Sequence, residues 1–217
     1  MNIVNKIVLL LMTAGALAWA PLVSAAATIE APDALVKRIS LDVLNSAKAD
    51  AQIQAGDQQR ILQLVEDKVL PYVDFERMTA LAAGRFWREA SAEQKKQLTA
   101  EFRDLLKFTY SGALSQVRDQ QIQFRPLRAN SADTEVEVQS QVLQPRGEPI
   151  QLNYRLEKLE SGWKIFDVNV LGAWLVQTYK GNFATEISKG GIDGLIKTLA
   201  ERNKRLAAGA AKSAKAS

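Results

Sequence analysis

The chain of 217 residues contains no cysteine and no histidine. Without cysteine there are no disulfides, no thiolate zinc sites, no iron–sulfur clusters, no thiol nucleophile and no cysteine-borne lipid anchor. Without histidine there is no Ser-His-Asp or Cys-His machinery and no imidazole ligand. A dinucleotide fingerprint and a phosphate-binding Lys-Ser/Thr loop are missing too, and no acidic run has calcium-loop spacing. Gly190-Gly191-Ile192-Asp193-Gly194 is rich in glycine but reads as punctuation between helices. Neither a metal nor a cofactor is expected. What remains is an enzyme working through carboxylate, lysine or tyrosine, or a protein that binds without reacting.

What is present fits an ordinary globular chain: 47% of residues are hydrophobic and 24% charged. The net charge of +4 is unevenly placed. Lys6 near the start and Lys204, Arg205, Lys212 and Lys215 near the end carry more than all of it, leaving the body at about −1, close to neutral. No basic stripe interleaved with aromatics runs along the body, and nucleic acid is not expected as a partner.

Residues 1–27 read as a cleavable secretory signal peptide. Lys6 supplies the positive start, and Ile7 to Trp19 supplies an apolar run of about a dozen residues, short for a membrane span. Pro21 and Ser24-Ala25-Ala26-Ala27 supply the small residues of a cleavage region. No twin arginine precedes the run, which fits export of an unfolded chain. Export without cysteine suits a bacterial envelope. Residues 28–203 then read as a single domain, and 204–217 as a flexible basic tail.

The first half of that domain has helical spacing. Pro32 can open a helix carrying Leu35, Ile39, Val43 and Leu44. Gly56-Asp57 starts another, which Pro71 ends. Asp74 caps a short helix that Gly84 closes. Ser91 with Gln94 forms a capping box for a long helix through Leu98, Phe102, Leu105 and on to Val117. The second half alternates. Gln121–Leu127, Thr134–Leu143 and Ile150–Glu157 each have one dry and one wet face. Trp163–Val170 switches parity at Ile165-Phe166, the mark of a bulge or of a strand covered on both faces. Helices resume after Gly172, and Asp193 is placed to cap the last one. Helices, then a meander, then helices make an α+β fold with a curved antiparallel sheet of four main strands.

Asp74-Phe75-Glu76-Arg77-Met78, Gly84-Arg85-Phe86-Trp87-Arg88, Glu93-Gln94, Thr109-Tyr110 with Leu114, Gly162-Trp163-Lys164-Ile165-Phe166-Asp167-Val168, Tyr179-Lys180-Gly181-Asn182-Phe183 and Gly194-Leu195-Ile196 occur in order along the chain. This ordered set resembles the MlaC, or toluene-tolerance auxiliary, family of periplasmic phospholipid-binding proteins. Trp174, where a small polar residue is expected, and Lys180, where arginine is usual, depart from the pattern. Lysine lacks the bidentate fork of arginine. The resemblance implies an NTF2-like or cystatin-like curved sheet covered by helices, with acyl chains between the layers. It implies a non-catalytic shuttle of diacyl phospholipid between an outer-membrane lipoprotein/porin complex and an inner-membrane ABC transporter complex.

For such a carrier, strand parity puts Leu152, Tyr154, Phe166, Val168 and Val170 on the slot wall. Phe86, Trp87, Phe108, Leu114, Trp174 and Tyr179 are the expected helical contributions. The alternative is an NTF2-like enzyme acting on a small apolar substrate through Asp167 or Tyr154, which requires those side chains to share a cavity. A third reading is an envelope protein with a filled core.

Overall fold

The structure, a computed structural model, describes residues 29–216 except residue 131, with side chains up to residue 211. The expected leader therefore lies outside the described residues.

Local signals set the helical half. Pro32 occupies the first position of α1 (Pro32–Ala49), where its missing N–H costs nothing. Asp50 accepts the backbone N–H groups of Gln52 and Ile53 and so caps the single turn α2 (Ala51–Gln54). Asp57 caps α3 (Gln58–Lys68), and Pro71 falls in a 3-10 turn, Leu70–Tyr72, that ends this leg. The Asp74 carboxylate accepts from Arg77 N–H at 2.8 Å to start α4 (Phe75–Ala83). Gly84 closes α4 at φ 58°, ψ −128°, a conformation that a side chain would strain. One turn, α5 (Phe86–Glu89), leads to α6 (Ala92–Tyr110), which opens on the Ser91–Gln94 capping box. The helix expected to reach Val117 stops at Tyr110 and tightens into a 3-10 turn, Ser111–Gln116. Gly112 is a poor helix former, and the Ser115 hydroxyl takes the Gly112 carbonyl for itself.

The sheet is an antiparallel meander in the order β1 (Gln121–Phe124), β2 (Glu135–Leu143), β3 (Ile150–Leu159), β4 (Gly162–Val170), β5 (Ala173–Trp174). It is curved, and the helices pack over it. The four main strands are those the alternation predicts; the short β5 is an addition. Val138, Tyr154 and Val168 lie in one cross-strand row. The parity switch in β4 is a bulge: Arg155 pairs with Asp167 and Leu156 with Ile165, so Phe166 is the extra residue. Ile165, Phe166, Asp167 and Asn169 are all buried, so β4 is also covered on both faces.

After β5 the chain enters α7 (Leu175–Ala216), broken at Gly191, whose φ of 67° and ψ of −170° separate two arms. Asp193 stands just beyond the break. Its carboxylate accepts from the Gln94 side chain at 2.8 Å, which ties the break to the start of α6. The backbone of 204–216 is helical, where the sequence reading expects a flexible tail. That segment is rich in alanine, the best helix former, and Leu206 packs partly buried against the core.

Apolar residues gather in two main clusters. One joins α4, α6 and α7 through Met78, Leu98, Phe102, Leu105, Tyr179 and Phe183. The other joins α1 to the sheet through Leu35, Val36, Ile39, Val138, Tyr154, Leu156 and Ile165. The segment between α3 and α4 is fastened to the free edge of β4: Val73 bridges Ile165, and Asp74 N–H donates to the Ile165 carbonyl at 2.8 Å.

Leu171, at the β4–β5 turn, has a left-handed φ of 53° and is 71% exposed. Such a conformation costs a side chain roughly 1–2 kcal/mol, and asparagine tolerates it better. Leu171→Asn is therefore expected to raise stability by about 0.5–1 kcal/mol in urea denaturation. An unchanged or lower midpoint would show that the Leu171 side chain makes up the cost.

Candidate functional site

The two apolar clusters meet. Val73, from the segment before α4, and Val168, from β4, each pack against both. Val168 faces the α1 side because the bulge restores its register opposite Tyr154. On that sheet face Leu152, Tyr154, Leu156 and Ile165 present a continuous apolar floor to Leu35, Val36 and Ile39 of α1. On the helical side Phe102 stands edge-on to Tyr179 and Phe183, with ring centroids 4.9 and 5.0 Å away.

The floor carries two buried polar side chains, Tyr154 and Ser140, the latter opposite Leu152 with its hydroxyl donating to the Leu152 carbonyl. Tyr154 is buried, with its hydroxyl 3.4 Å from Ser40 Oγ of α1, and burial raises its pKa. Tyr179 is pushed up to about 12 by burial and by the neighbouring Tyr110. Both hydroxyls stay neutral at physiological pH, so the layer carries no charge at either position.

The expected wall residues divide by location. Leu152, Tyr154 and Val168 share the sheet face, and Val170, half-buried, pairs across the strands with Leu152. Tyr179 is in the helical cluster, with Phe86 and Trp87 packed partly buried against it. Leu114 belongs to a third, smaller cluster with Ile53, Ile61 and Leu64. Phe108 is half-buried beneath the Lys107 ammonium, 5.0 Å from its ring. Phe166 lies under the Arg77 guanidinium at 3.9 Å, and Trp174 under that of Arg155 at 3.8 Å. Arg77 also pairs with Glu135 and Glu157, which face each other across β2 and β3. Parity could not reveal these arginine lids, which come from residues distant in sequence. Val73, Ile39 and Val36 pack at the same apolar junction, and strand parity passes over them.

Asp167 has a structural task. It is 2% exposed, and its Oδ1 accepts from Val168 N–H at 2.9 Å and from Val176 N–H at 3.0 Å in the first turn of α7. Its Oδ2 meets Arg155 at 3.4 Å. Burial raises its pKa against the opposing pull of those N–H groups and of Arg155. Because Tyr154 pairs with Val168 and Arg155 with Asp167, Tyr154 and Asp167 point to opposite sheet faces. They do not share a cavity.

Three open hollows mark the surface. One of about 510 Å³ is lined by Glu66, Leu70, Pro71, Phe75 and Arg103. Others of about 460 and 220 Å³ lie over the wet sheet face around Arg125, Gln139 and Asn153. None of these three opens between the apolar floor and α1, where the layers are in contact.

Fold and junction together define an α+β protein in which a curved sheet and a helical layer meet through apolar side chains. The chain belongs to the MlaC family, whose model, described as MlaC protein, matches residues 37–201. The intermembrane phospholipid transport system binding protein MlaC of Haemophilus influenzae is 25% identical over 168 residues, which are 76% of this chain and 78% of that one. Toluene tolerance protein ttg2D of Pseudomonas putida is 24% identical over 184 residues, 84% of each chain. Among solved structures, a phospholipid-binding protein from Ralstonia solanacearum in complex with a phospholipid is 46% identical. It superposes with a TM-score of 0.76 and is covered over 98% of its length by 81% of this chain.

Asp167→Ala is expected to cost about 2–3 kcal/mol, because it strips the cap from α7 and leaves Arg155 without its partner. Asp167→Asn keeps an acceptor for the N–H groups and is expected to cost less. The raised carboxyl makes a stabilising contribution that is complete below its unfolded pKa and is lost as pH rises through its folded value. The Asn variant should remove that slope, so its deficit against wild type narrows toward neutral pH. Denaturation of the three proteins across the carboxylate range checks this; equal costs for Ala and Asn would overturn the capping role.

Proposed function

We propose that this chain is a periplasmic carrier of diacyl phospholipid. On this reading residues 1–27 are a cleaved export signal, and residues 28–203 form one lipid-binding domain. It shuttles its cargo between an outer-membrane lipoprotein/porin complex and an inner-membrane ABC transporter complex, without catalysis and without a cofactor. The observation that carries the reading is the 46% identical Ralstonia protein, which has this fold and holds a phospholipid.

The apolar junction supplies the matching physics. Two C16 chains expose about thirty methylenes, worth roughly 24 kcal/mol of transfer into water at ~0.8 kcal/mol each. A carrier must offer a slot nearly as apolar as the bilayer, at the ~1,000 Å³ upper end of ordinary ligand pockets or beyond. The two clusters that meet at Val73 and Val168 supply apolar side chains on both flanks, and on this reading lipid enters by parting the sheet face from the helices there. The neutral hydroxyl of Tyr154 and its Ser40 partner put no charge in the way. The opposed directions of Tyr154 and Asp167 give the acid–base alternative no shared site.

Native mass spectrometry of the protein purified from periplasm is expected to show a stoichiometric diacyl phospholipid. Val168→Asp, which forces a carboxylate into the slot, should abolish retention. Leu152→Trp, which fills the slot with an apolar group, should reduce loading severalfold while keeping the fold. Undiminished lipid in both folded variants would overturn this wall, and an empty wild-type protein that takes up no lipid from vesicles would overturn the carrier reading.

A further inference from the structure

The Gly84-Arg85-Phe86-Trp87-Arg88 segment is only half used by the junction. The inner edges of Phe86 and Trp87 pack on the helical cluster, while both rings remain partly open outside. Cations occupy that outer side. Arg85 Cζ stands 4.8 Å from the Phe86 ring, and Lys95 Nζ 5.6 Å from the Trp87 ring.

Among the described residues six cations stand over aromatic rings, and four of them are also neutralised. Arg38 pairs with Glu30, Arg77 with Glu135 and Glu157, Lys107 with Glu66 and Asp104, and Arg155 with Asp167. Only Arg85 and Lys95 have no carboxylate partner, and both belong to this corner. Arg88 on α5 and Lys180 on α7 are exposed beside them, also without an ion pair. The Lys180 chain runs against the α4–α5 turn, its Cε 3.6 Å from where a Gly84 side chain would begin. Glu89 is the one acid within α5, and Glu93 and the Gln94-bound Asp193 stand at the start of α6; the four cations outnumber these three acids. Leu81, one turn earlier on α4, is 40% exposed.

We propose that this corner is a docking surface for an anionic phospholipid bilayer. Half-sunk rings flanked by long cationic side chains suit the headgroup layer: the rings reach the acyl boundary while the ammonium and guanidinium heads meet phosphates. Each unpaired cation gains when it nears an anionic surface. An acidic protein would satisfy the charges but would leave Leu81 and the open ring edges unexplained. Vesicle binding at this surface requires no cargo, so it is read separately from lipid loading.

The test is co-sedimentation of the full exported chain with phosphatidylcholine vesicles, with and without about a third phosphatidylglycerol. Wild type is expected to bind the anionic vesicles about tenfold or more tightly, and to release them in about 0.5 M salt. Arg85→Gln/Arg88→Gln/Lys180→Gln should lose that preference while keeping its melting temperature and its bound phospholipid. Lys204→Gln/Arg205→Gln, on the C-terminal arm, should bind as wild type does. Three results would overturn the proposal: equal binding to neutral vesicles, loss in the C-terminal variant instead of the corner variant, or no vesicle binding at all. The last would assign the corner to an acidic protein partner.

Discussion

The arrangement depends on β4 being packed on both faces. A strand so placed has no wet side on which to put a carboxylate, yet it carries Asp167 at 2% exposure. A lone buried carboxylate would be costly; this one is kept by two backbone N–H groups and a guanidinium. The same bonds fix where α7 begins, and so where Tyr179 and Phe183 meet Phe102. One residue further, Val168 turns to the opposite face and meets Tyr154. The extra residue at Phe166 sets both outcomes. If Phe166 were paired in a regular ladder instead of bulged, Asp167 would fall opposite Tyr154, and the faces of Asp167 and Val168 would be exchanged.

Much of this is written locally. Alternation marks the strands, the break of parity at Ile165-Phe166 marks the bulge, and Asp57, Asp74 and Ser91 mark helix starts by chemistry that works within three residues. What local pattern does not contain are contacts closed by the fold. The Arg77 side chain covers Phe166 from a helix far back in the chain, so a residue that alternation assigns to the slot wall lies under an ion-pair network. Leu114 sits on a 3-10 turn instead of the helix that periodicity suggests, and so faces Ile53 and Ile61. Asp193, a plausible cap by sequence, is taken by Gln94 once the break at Gly191 brings the two together.

The closed contact at the junction bears on how a carrier can work. An open slot of the required size would expose apolar walls whenever the protein is empty, at about 25 cal/mol for each Å². Here the floor of the sheet lies against α1, and Val73 and Val168 touch both clusters, so these apolar faces shield each other. On the proposed carrier reading, lipid entry would exchange wall–wall contact for wall–chain contact, and little apolar surface would meet water in either state. The net affinity is a difference between two similar quantities and is far smaller than the transfer energy of the chains. That smallness lets a protein hold a lipid that water rejects and still give it up to a membrane complex. A stiff, permanently open cavity would bind more tightly and would release less readily. For the proposed carrier, an apolar slot and its ability to close are thus one requirement, which a sheet floor and a helical layer already in apolar contact would meet.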